Sequence, residues 1–459
     1  MGRLFRDILT LGHLAWPVVI SRGGVMMLSV TDTVMVGRYA SEHLAYLGVG
    51  LVPHNIFILV MVGLVMGTSV LVSNAFGARN LSKTGEIWWT AMPWALAIGL
   101  IGFAVCAFGE IFLLLWGIEP DIAAKAGQIS FIAGLSLPFA ALQMVSNMFL
   151  EGVRNPRPGM FIMLAANVLN VFANYILVYG LYGVPELGAQ GSIWATFVVR
   201  ALQLACTLSY IWFLVDLDKF GLRRRPKFSW KAGAELRKIG YASGLSIGVE
   251  STAFNALLVF AGWLSLTVVA AHVITITAFG LFFMVGLGFG VATAVSVGNA
   301  HGAGDHEGVR RWAWLGLGIQ SFFMLLCALI IIFYAEEFAG FYTQDRAVIA
   351  LAAQMLVFVS MALVFDTGQS LFAMSLRARG DTWWPTMSHI VAYAGLMMPL
   401  TYVSIYHLGR GPMGLADGVF FGTLFPFVTL ILRYVYLDRR ARRDSRDSTD
   451  GQLSLGADQ

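Results

Sequence analysis

The chain has 459 residues, is 58% hydrophobic and only 12% charged, and carries a mean hydropathy of +0.74 and a formal net charge of +4. Soluble globular proteins are about 45–50% apolar and about 25% charged, so this composition excludes an ordinary soluble domain and predicts a polytopic membrane protein. Long continuous apolar runs favour transmembrane helices over a β-barrel, whose strands are short and alternate in polarity.

The apolar runs between charged segments predict twelve membrane-spanning helices, because ~20 apolar residues are enough to cross a bilayer. In chain order they cover residues 11–36, 45–73, 88–116, 126–150, 158–181, 189–215, 239–264, 268–298, 311–334, 347–376, 384–407 and 413–437. Arg3 and Arg6 precede the first run and no small-residue cleavage site follows it, so we expect an uncleaved first span.

Lys and Arg are distributed unevenly over this predicted topology. With the N-terminus inside, the inner segments hold 24 of the 30 basic residues and the outer loops hold four, while Arg22 and Arg200 fall within spans. Cytoplasmic loops are enriched in Lys and Arg, so both termini are predicted to be cytoplasmic. The basic residues then face anionic lipid, which excludes nucleic acid as a partner.

Two motifs occur twice along the chain. Residues 74–79 (NAFGAR) resemble 299–304 (NAHGAG), and residues 150–156 (LEGVRNP) resemble 376–382 (LRARGDT), at offsets of 225 and 226. Nearly equal offsets imply two homologous halves of six spans each, which are parallel repeats because six is an even number.

The predicted fold is therefore an all-α polytopic membrane protein with twelve transmembrane helices in two six-helix bundles. Pseudo-two-fold symmetry along the membrane normal relates the bundles, and a central cavity lies between them. We predict an N-terminal bundle at 1–218, a basic cytoplasmic linker at 219–237, a C-terminal bundle at 238–438 and a disordered cytoplasmic tail at 439–459.

Three carboxylates interrupt apolar spans in chain order, at Asp32, Glu250 and Asp366. A charge at the membrane centre costs roughly 2.5–3.5 kcal/mol, so such residues are typical of cation handling. The structural alternative for Asp32 is an assembly-only pairing with Arg22 or Arg200; Arg22 is ~15 Å away along one helix, too far for direct contact.

Span 5 carries three amides, Asn167, Asn170 and Asn174, whose spacing places them on one helical face. Such a stripe must face protein or water, and it is typical either of a binding site or of hydrogen bonding between helices. Glu250 and Asp366 belong to the same predicted half, so they either share one proton or Na⁺ or are two separately satisfied polar residues.

Several kinds of chemistry are excluded by missing motifs. The chain has no Walker A loop for ATP, no H-E-x-x-H zinc motif and no G-x-S-x-G nucleophile elbow. It also lacks the carbonyl-filter sequence of potassium channels. We therefore predict neither an enzyme nor a channel, and no cofactor.

The segment from Asp32 to Arg38, DTVMVGR, resembles the first-span signature of the MATE (multidrug and toxic compound extrusion) family. Pro17 upstream, the Asn-Ala-x-Gly-Ala turns of both halves, the GAQGS segment at 188–192 and the turn at 377–381 resemble the family as well. The resemblance covers about residues 10–435. Two departures are Ser246, where the family commonly has proline, and the intramembrane Arg22.

The resemblance implies the site residues of a transporter of the NorM-type branch. Asp32, Asn170 and Asn174 match an N-lobe cation site, and Glu250 with Asp366 matches the acidic pair of that branch, which predicts proton coupling or a Na⁺ site there. Phe283 and Asp345 are predicted to bind substrate together with Asp32. Pro17 is predicted to form a hinge, because proline removes a helix hydrogen bond.

The resemblance also implies the function, a secondary antiporter of a bacterial inner membrane. Such a protein exports cationic and aromatic compounds in exchange for Na⁺ or H⁺ by alternating access of the central cavity, and we expect it to act as a monomer. The alternative is a lipid-linked saccharide flippase of related architecture, which would need a basic cavity; the acidic intramembrane residues argue against it.

Overall fold

The computed structural model describes residues 2–227 and 229–457, and every regular element in these ranges is helical. The first ten helices are α1 (Gly2–Tyr39), α2 (Ser41–Gly50), α3 (Val52–Val65), α4 (Gly67–Gly77), α5 (Leu81–Ala107), α6 (Gly109–Leu115), α7 (Pro120–Leu135), α8 (Leu137–Gly152), α9 (Arg157–Tyr179) and α10 (Ala189–Leu214). The next are α11 (Ala234–Leu264), α12 (Leu266–Gly302), α13 (His306–Phe333), α14 (Ala335–Tyr342), α15 (Arg346–Ser360), α16 (Leu363–Ala378), α17 (Trp383–His389), a π-helical segment (Ile390–Met397), α18 (Met398–Tyr406) and α19 (Met413–Ala457).

Several of these helices join into single membrane spans. In the described ranges, eleven stretches are long and apolar enough to cross a membrane, and α15 with α16 makes a twelfth that is bent by 44°. One joined span is Pro120–Gly152, where α7 ends at Leu135, three residues before Pro138. The predicted all-helical polytopic class is confirmed, and the count of eleven to twelve includes the predicted twelve spans.

The chain divides into two compact units, a first unit of residues 1–252 and a second unit of residues 253–459. This division falls inside α11, whose start packs on α3, and the domain boundary at the linker stays a prediction. A Cβ atom on Gly63 would lie 2.6 Å from the Cα of Gly244, and one on Gly240 would lie 2.2 Å from the Leu64 carbonyl oxygen. Only glycine permits so close an approach of two helix backbones, so the first half of α11 belongs to the first unit.

The repeated motifs end their helices with the same backbone geometry. Arg79 and its counterpart Gly304 have φ values of 59° and 70°, and Arg154 and its counterpart Gly380 have 63° and 87°. In each turn the next residue donates its backbone N–H to a carbonyl five residues back, as in a Schellman cap. The internal repeat therefore extends to backbone conformation.

Replacing Arg79 by glycine is expected to stabilise the protein by about 0.5–1 kcal/mol, because a side chain is strained in the left-handed region. Arg79 is exposed, so few contacts are lost with its side chain. Thermal unfolding of the detergent-solubilised protein measures the change as a higher Tm. Lys238→Gly is the matched control: it removes an exposed basic residue inside α11 and is expected to lower the Tm. An Arg79→Gly protein that unfolds at a lower temperature than wild type would contradict the repeat geometry.

The segment predicted as a cytoplasmic tail lies in the last helix. α19 continues to Ala457, so the backbone of the segment predicted to be disordered from residue 439 is helical as far as the structure describes it. Its start is supported by an ion pair one helical turn apart, in which the Arg442 Nη2 lies 2.9 Å from the Asp438 Oδ2.

Candidate functional site

The first predicted site residue, Asp32, lies on α1 and is only 6% exposed. Its Oδ1 accepts hydrogen bonds from the Asn174 Nδ2 at 2.8 Å and the Asn170 Nδ2 at 3.2 Å, both on α9. Its Oδ2 accepts a hydrogen bond of 2.7 Å from the Thr196 hydroxyl on α10. The structure thus brings the three predicted residues together within the first unit, and three donors surround one buried carboxylate.

The basic residues named as possible partners of Asp32 behave differently from each other. Arg22 pairs elsewhere, with its Nη2 3.7 Å from the Oε1 of Glu151 at the end of α8. Arg200 lies one turn beyond Thr196 on α10 and interacts electrostatically with Asp32. Asp32 is therefore held by neutral donors. The cationic Arg200 lies nearby on α10, the helix that also carries the donor Thr196.

Glu250 and Asp366 lie in different compact units, Glu250 near the end of the first and Asp366 in the second. Glu250 is half-buried on α11, whereas Asp366 is 2% exposed in the first turn of α16. The Gln369 Nε2 lies 3.3 Å from the Asp366 Oδ1 and 3.1 Å from the Tyr393 hydroxyl. Asp366 therefore belongs to a buried polar network of the second unit, and its sharing of an ion with Glu250 stays a prediction.

The three remaining predicted residues occupy distinct positions. Phe283 is half-buried on α12, and Pro17 is buried inside α1, which is helical on both sides of it. Asp345 is exposed and caps α15, because its Oδ1 accepts hydrogen bonds from the backbone N–H groups of Ala347 at 2.9 Å and Val348 at 3.5 Å. A helix cap explains an aspartate at this position without a substrate.

Sequence reasoning missed two residues of the first unit. Thr196 donates to Asp32, and its only sequence signal is a lone hydroxyl between apolar neighbours in span 6. Glu151 is 8% exposed, although its motif reads as the start of an inner loop. A span boundary drawn one turn later would have counted Glu151 as a fourth intramembrane carboxylate.

The Asp32 site can hold one cation or one proton, because a single carboxylate neutralises one positive charge. Within residues 2–227 and 229–457, no group of three or more His, Cys, Asp or Glu side chains is placed to hold a metal ion. A cavity of about 280 Å³ in the first unit is lined by other residues, among them Trp89, Arg225 and Lys227.

Comparison with known proteins shows what the chain as a whole is similar to. The sequence profile of the MatE family matches residues 17–176 and 242–403. The chain is 34% identical to "Probable multidrug resistance protein NorM" of Caulobacter vibrioides, over 97% of this chain and 95% of that protein. It is 30% identical to "Multidrug resistance protein NorM" of Burkholderia vietnamiensis, over 94% of both chains.

Solved structures share the fold at lower sequence identity. One, described as the "Outward-facing conformation of a multidrug resistance MATE family transporter of the MOP superfamily", is 18% identical, with a TM-score of 0.87 over 96% of this chain and 98% of that one. Another, the eukaryotic MATE transporter AtDTX14, is 18% identical, with a TM-score of 0.86 over 96% and 99% of the two chains. The chain therefore belongs to the MATE family of ion-coupled multidrug efflux transporters, and it is a multi-pass membrane transporter, not an enzyme.

Proposed function

We propose that the chain is an antiporter that exports cationic and aromatic organic compounds in exchange for H⁺ or Na⁺, with Asp32 as the residue for which they compete. The buried carboxylate of Asp32, which accepts three hydrogen bonds from neutral donors, carries this proposal. Neutral donors stabilise the ionised form without occupying the charge, so the negative charge remains for an incoming cation.

Competition for one carboxylate provides the coupling. An organic cation bound at Asp32 is displaced when H⁺ or Na⁺ arrives from the outer side, and the neutralised site then returns inward by alternating access. Asn170, Asn174 and Thr196 hold the carboxylate in place for either occupant, while Phe283 and Asp345 extend the substrate contacts, and Pro17 is the hinge of α1.

Glu250 and Asp366 are the further coupling residues of this proposal, each a carboxylate that a proton or a Na⁺ ion can neutralise. Carboxylate oxygens are the ligands that hard cations prefer. Asp366 is buried, so it does not serve as a solvent-exposed charge, and this supports a role for it in binding an ion. Both proposed sites lie within one chain, so we expect a monomer to be sufficient. The bacterial relatives support a bacterial inner-membrane location. The distribution of basic residues supports an orientation with both termini in the cytoplasm.

Purified protein in liposomes tests the proposal, with ethidium as the fluorescent organic cation and imposed H⁺ or Na⁺ gradients. Ethidium is expected to move against its gradient when either the pH gradient or the Na⁺ gradient is imposed, and to stop when that gradient is dissipated. Protein-free liposomes are the control. Transport that requires ATP, or that continues without any ion gradient, would overturn antiport.

A further inference from the structure

Polar atoms continue inward from Asp32 along the interface of α1 and α9. The Asn170 amide that donates to Asp32 is followed one turn earlier on α9 by Asn167, whose Nδ2 lies 3.1 Å from the carbonyl oxygen of Gly24 on α1. Gly24 is two residues from Arg22. The amide oxygens of Asn167 and Asn170 are buried and have no protein hydrogen-bond partner in the described ranges.

The path ends at a second buried carboxylate. Glu151 is 8% exposed, its Oε1 lies 3.7 Å from the Arg22 Nη2, and its Oε2 is buried without a hydrogen-bond partner in the part of the chain that the structure describes. Asn147 and Gln143 lie four and eight residues earlier on the same face of α8, and each has a buried side-chain oxygen that no described donor contacts. Buried polar oxygens without protein donors are where proteins hold ordered water.

We propose that Glu151 is a second proton-binding residue of the transporter, which receives the proton that Asp32 releases through water held along α1, α8 and α9. This inference rests on the proposed antiport function and names the proton as its coupling ion. Asp32 lies towards the predicted outer end of α1, and Glu151 lies in the last turn of α8 at the predicted inner side, so the two carboxylates mark the entry and the exit.

The transfer conserves atoms and charge. The O–H bond of the Asp32 acid breaks, water molecules carry the proton, and an O–H bond forms at the Glu151 Oε2. Glu151 is then neutral and its ion pair with Arg22 is lost. Release of the proton to water on the inner side restores the carboxylate and the pair, and the net result is one proton moved inward.

The groups around Glu151 favour a proton over a metal ion. From α1 it faces Arg22, from α4 the apolar Val72 packs beside Gly152, and beyond the end of α8 the chain continues to Arg154. The neighbouring guanidinium repels Na⁺, whereas a proton needs no set of oxygen ligands.

Three variants in liposomes test the proposal. Glu151→Gln removes the carboxylate. The double variant Arg22→Gln with Glu151→Gln removes it without leaving the half-buried arginine unpaired, and Glu86→Gln removes an exposed carboxylate of α5 as a control. Ethidium at a higher concentration outside the liposomes than inside drives the exchange. A pH-sensitive dye trapped inside the liposomes reports proton movement. Equilibrium ethidium binding reports whether the Asp32 site is intact, and the Tm reports whether the variant is folded.

Both Glu151 variants are expected to slow ethidium-driven proton movement by about a hundredfold or more, the lower end of the range for loss of a proton-transferring group. Ethidium affinity is expected to change less than about twofold. Glu86→Gln is expected to match wild type. A double variant that moves protons at the wild-type rate overturns the proposal and leaves Glu151 as a structural partner of Arg22. A wild-type protein that exchanges ethidium for Na⁺ alone overturns the proton path but not antiport, and one that exchanges it for neither ion overturns both.

Discussion

Asp32→Asn is expected to lower ion-driven ethidium efflux by at least about a hundredfold, which corresponds to about 2.8 kcal/mol, while the protein still inserts and folds. The asparagine has nearly the shape of the aspartate but carries no charge, so neither an organic cation nor a coupling ion is neutralised at the site. Its NH₂ group also replaces one carboxylate oxygen, so it faces either the two amide donors that met Oδ1 or the Thr196 hydroxyl that met Oδ2. Initial efflux rates from liposomes at matched protein density measure the loss.

Two further variants separate the charge from its surroundings. Thr196→Val removes the hydroxyl that donates to Asp32 but keeps the carboxylate and its two amide donors. We therefore expect a smaller loss, of about tenfold, which corresponds to the lower end of the about 1.5–3 kcal/mol that a hydrogen bond to a charged group contributes. Asp121→Asn removes an exposed carboxylate of α7 that pairs with Lys125, and it is expected to transport normally. Equal efflux by the Asp32→Asn and Asp121→Asn proteins would remove Asp32 from the mechanism.

Much of the architecture is readable from the sequence because membranes restrict the choices. Apolar runs long enough to cross a bilayer must be helical, and a motif such as NAFGAR that recurs as NAHGAG marks the same helix end twice. Asp32 is recognisable for the same reason: an acid inside an apolar run is costly unless the protein uses it. The amides of Asn170 and Asn174 follow from their helical spacing.

The residues that the sequence did not reveal depend on contacts between distant segments. Arg22 and Glu151 are 129 positions apart, and only the folded structure shows that their side chains pair. Thr196 looks like any hydroxyl of an apolar span until α10 places it against Asp32. The division of the chain inside α11 likewise follows from the close approach of Gly63 and Gly244, which hydropathy does not record.

Glu250 and Asp366 either hold one coupling ion together or act separately, and transport by their variants distinguishes the two cases. If they share one proton or Na⁺, either neutral variant already destroys the site, so Glu250→Gln, Asp366→Asn and the double variant are each expected to lower ion-driven efflux by a similar factor, about tenfold or more. Independent sites predict instead that the double loss equals the product of the single losses.

Efflux rates of the four proteins under a pH gradient and under a Na⁺ gradient complete this double-mutant cycle. Glu235→Gln, an exposed carboxylate at the start of the same helix as Glu250, is the control for a lost charge and should leave the rate unchanged. Asp366 is held by Gln369 in a buried network, so its variant also needs a Tm close to wild type before the comparison is made. Multiplicative losses in the double variant would show that the acids titrate separately, and the shared-ion site would then be withdrawn even if each residue matters for transport.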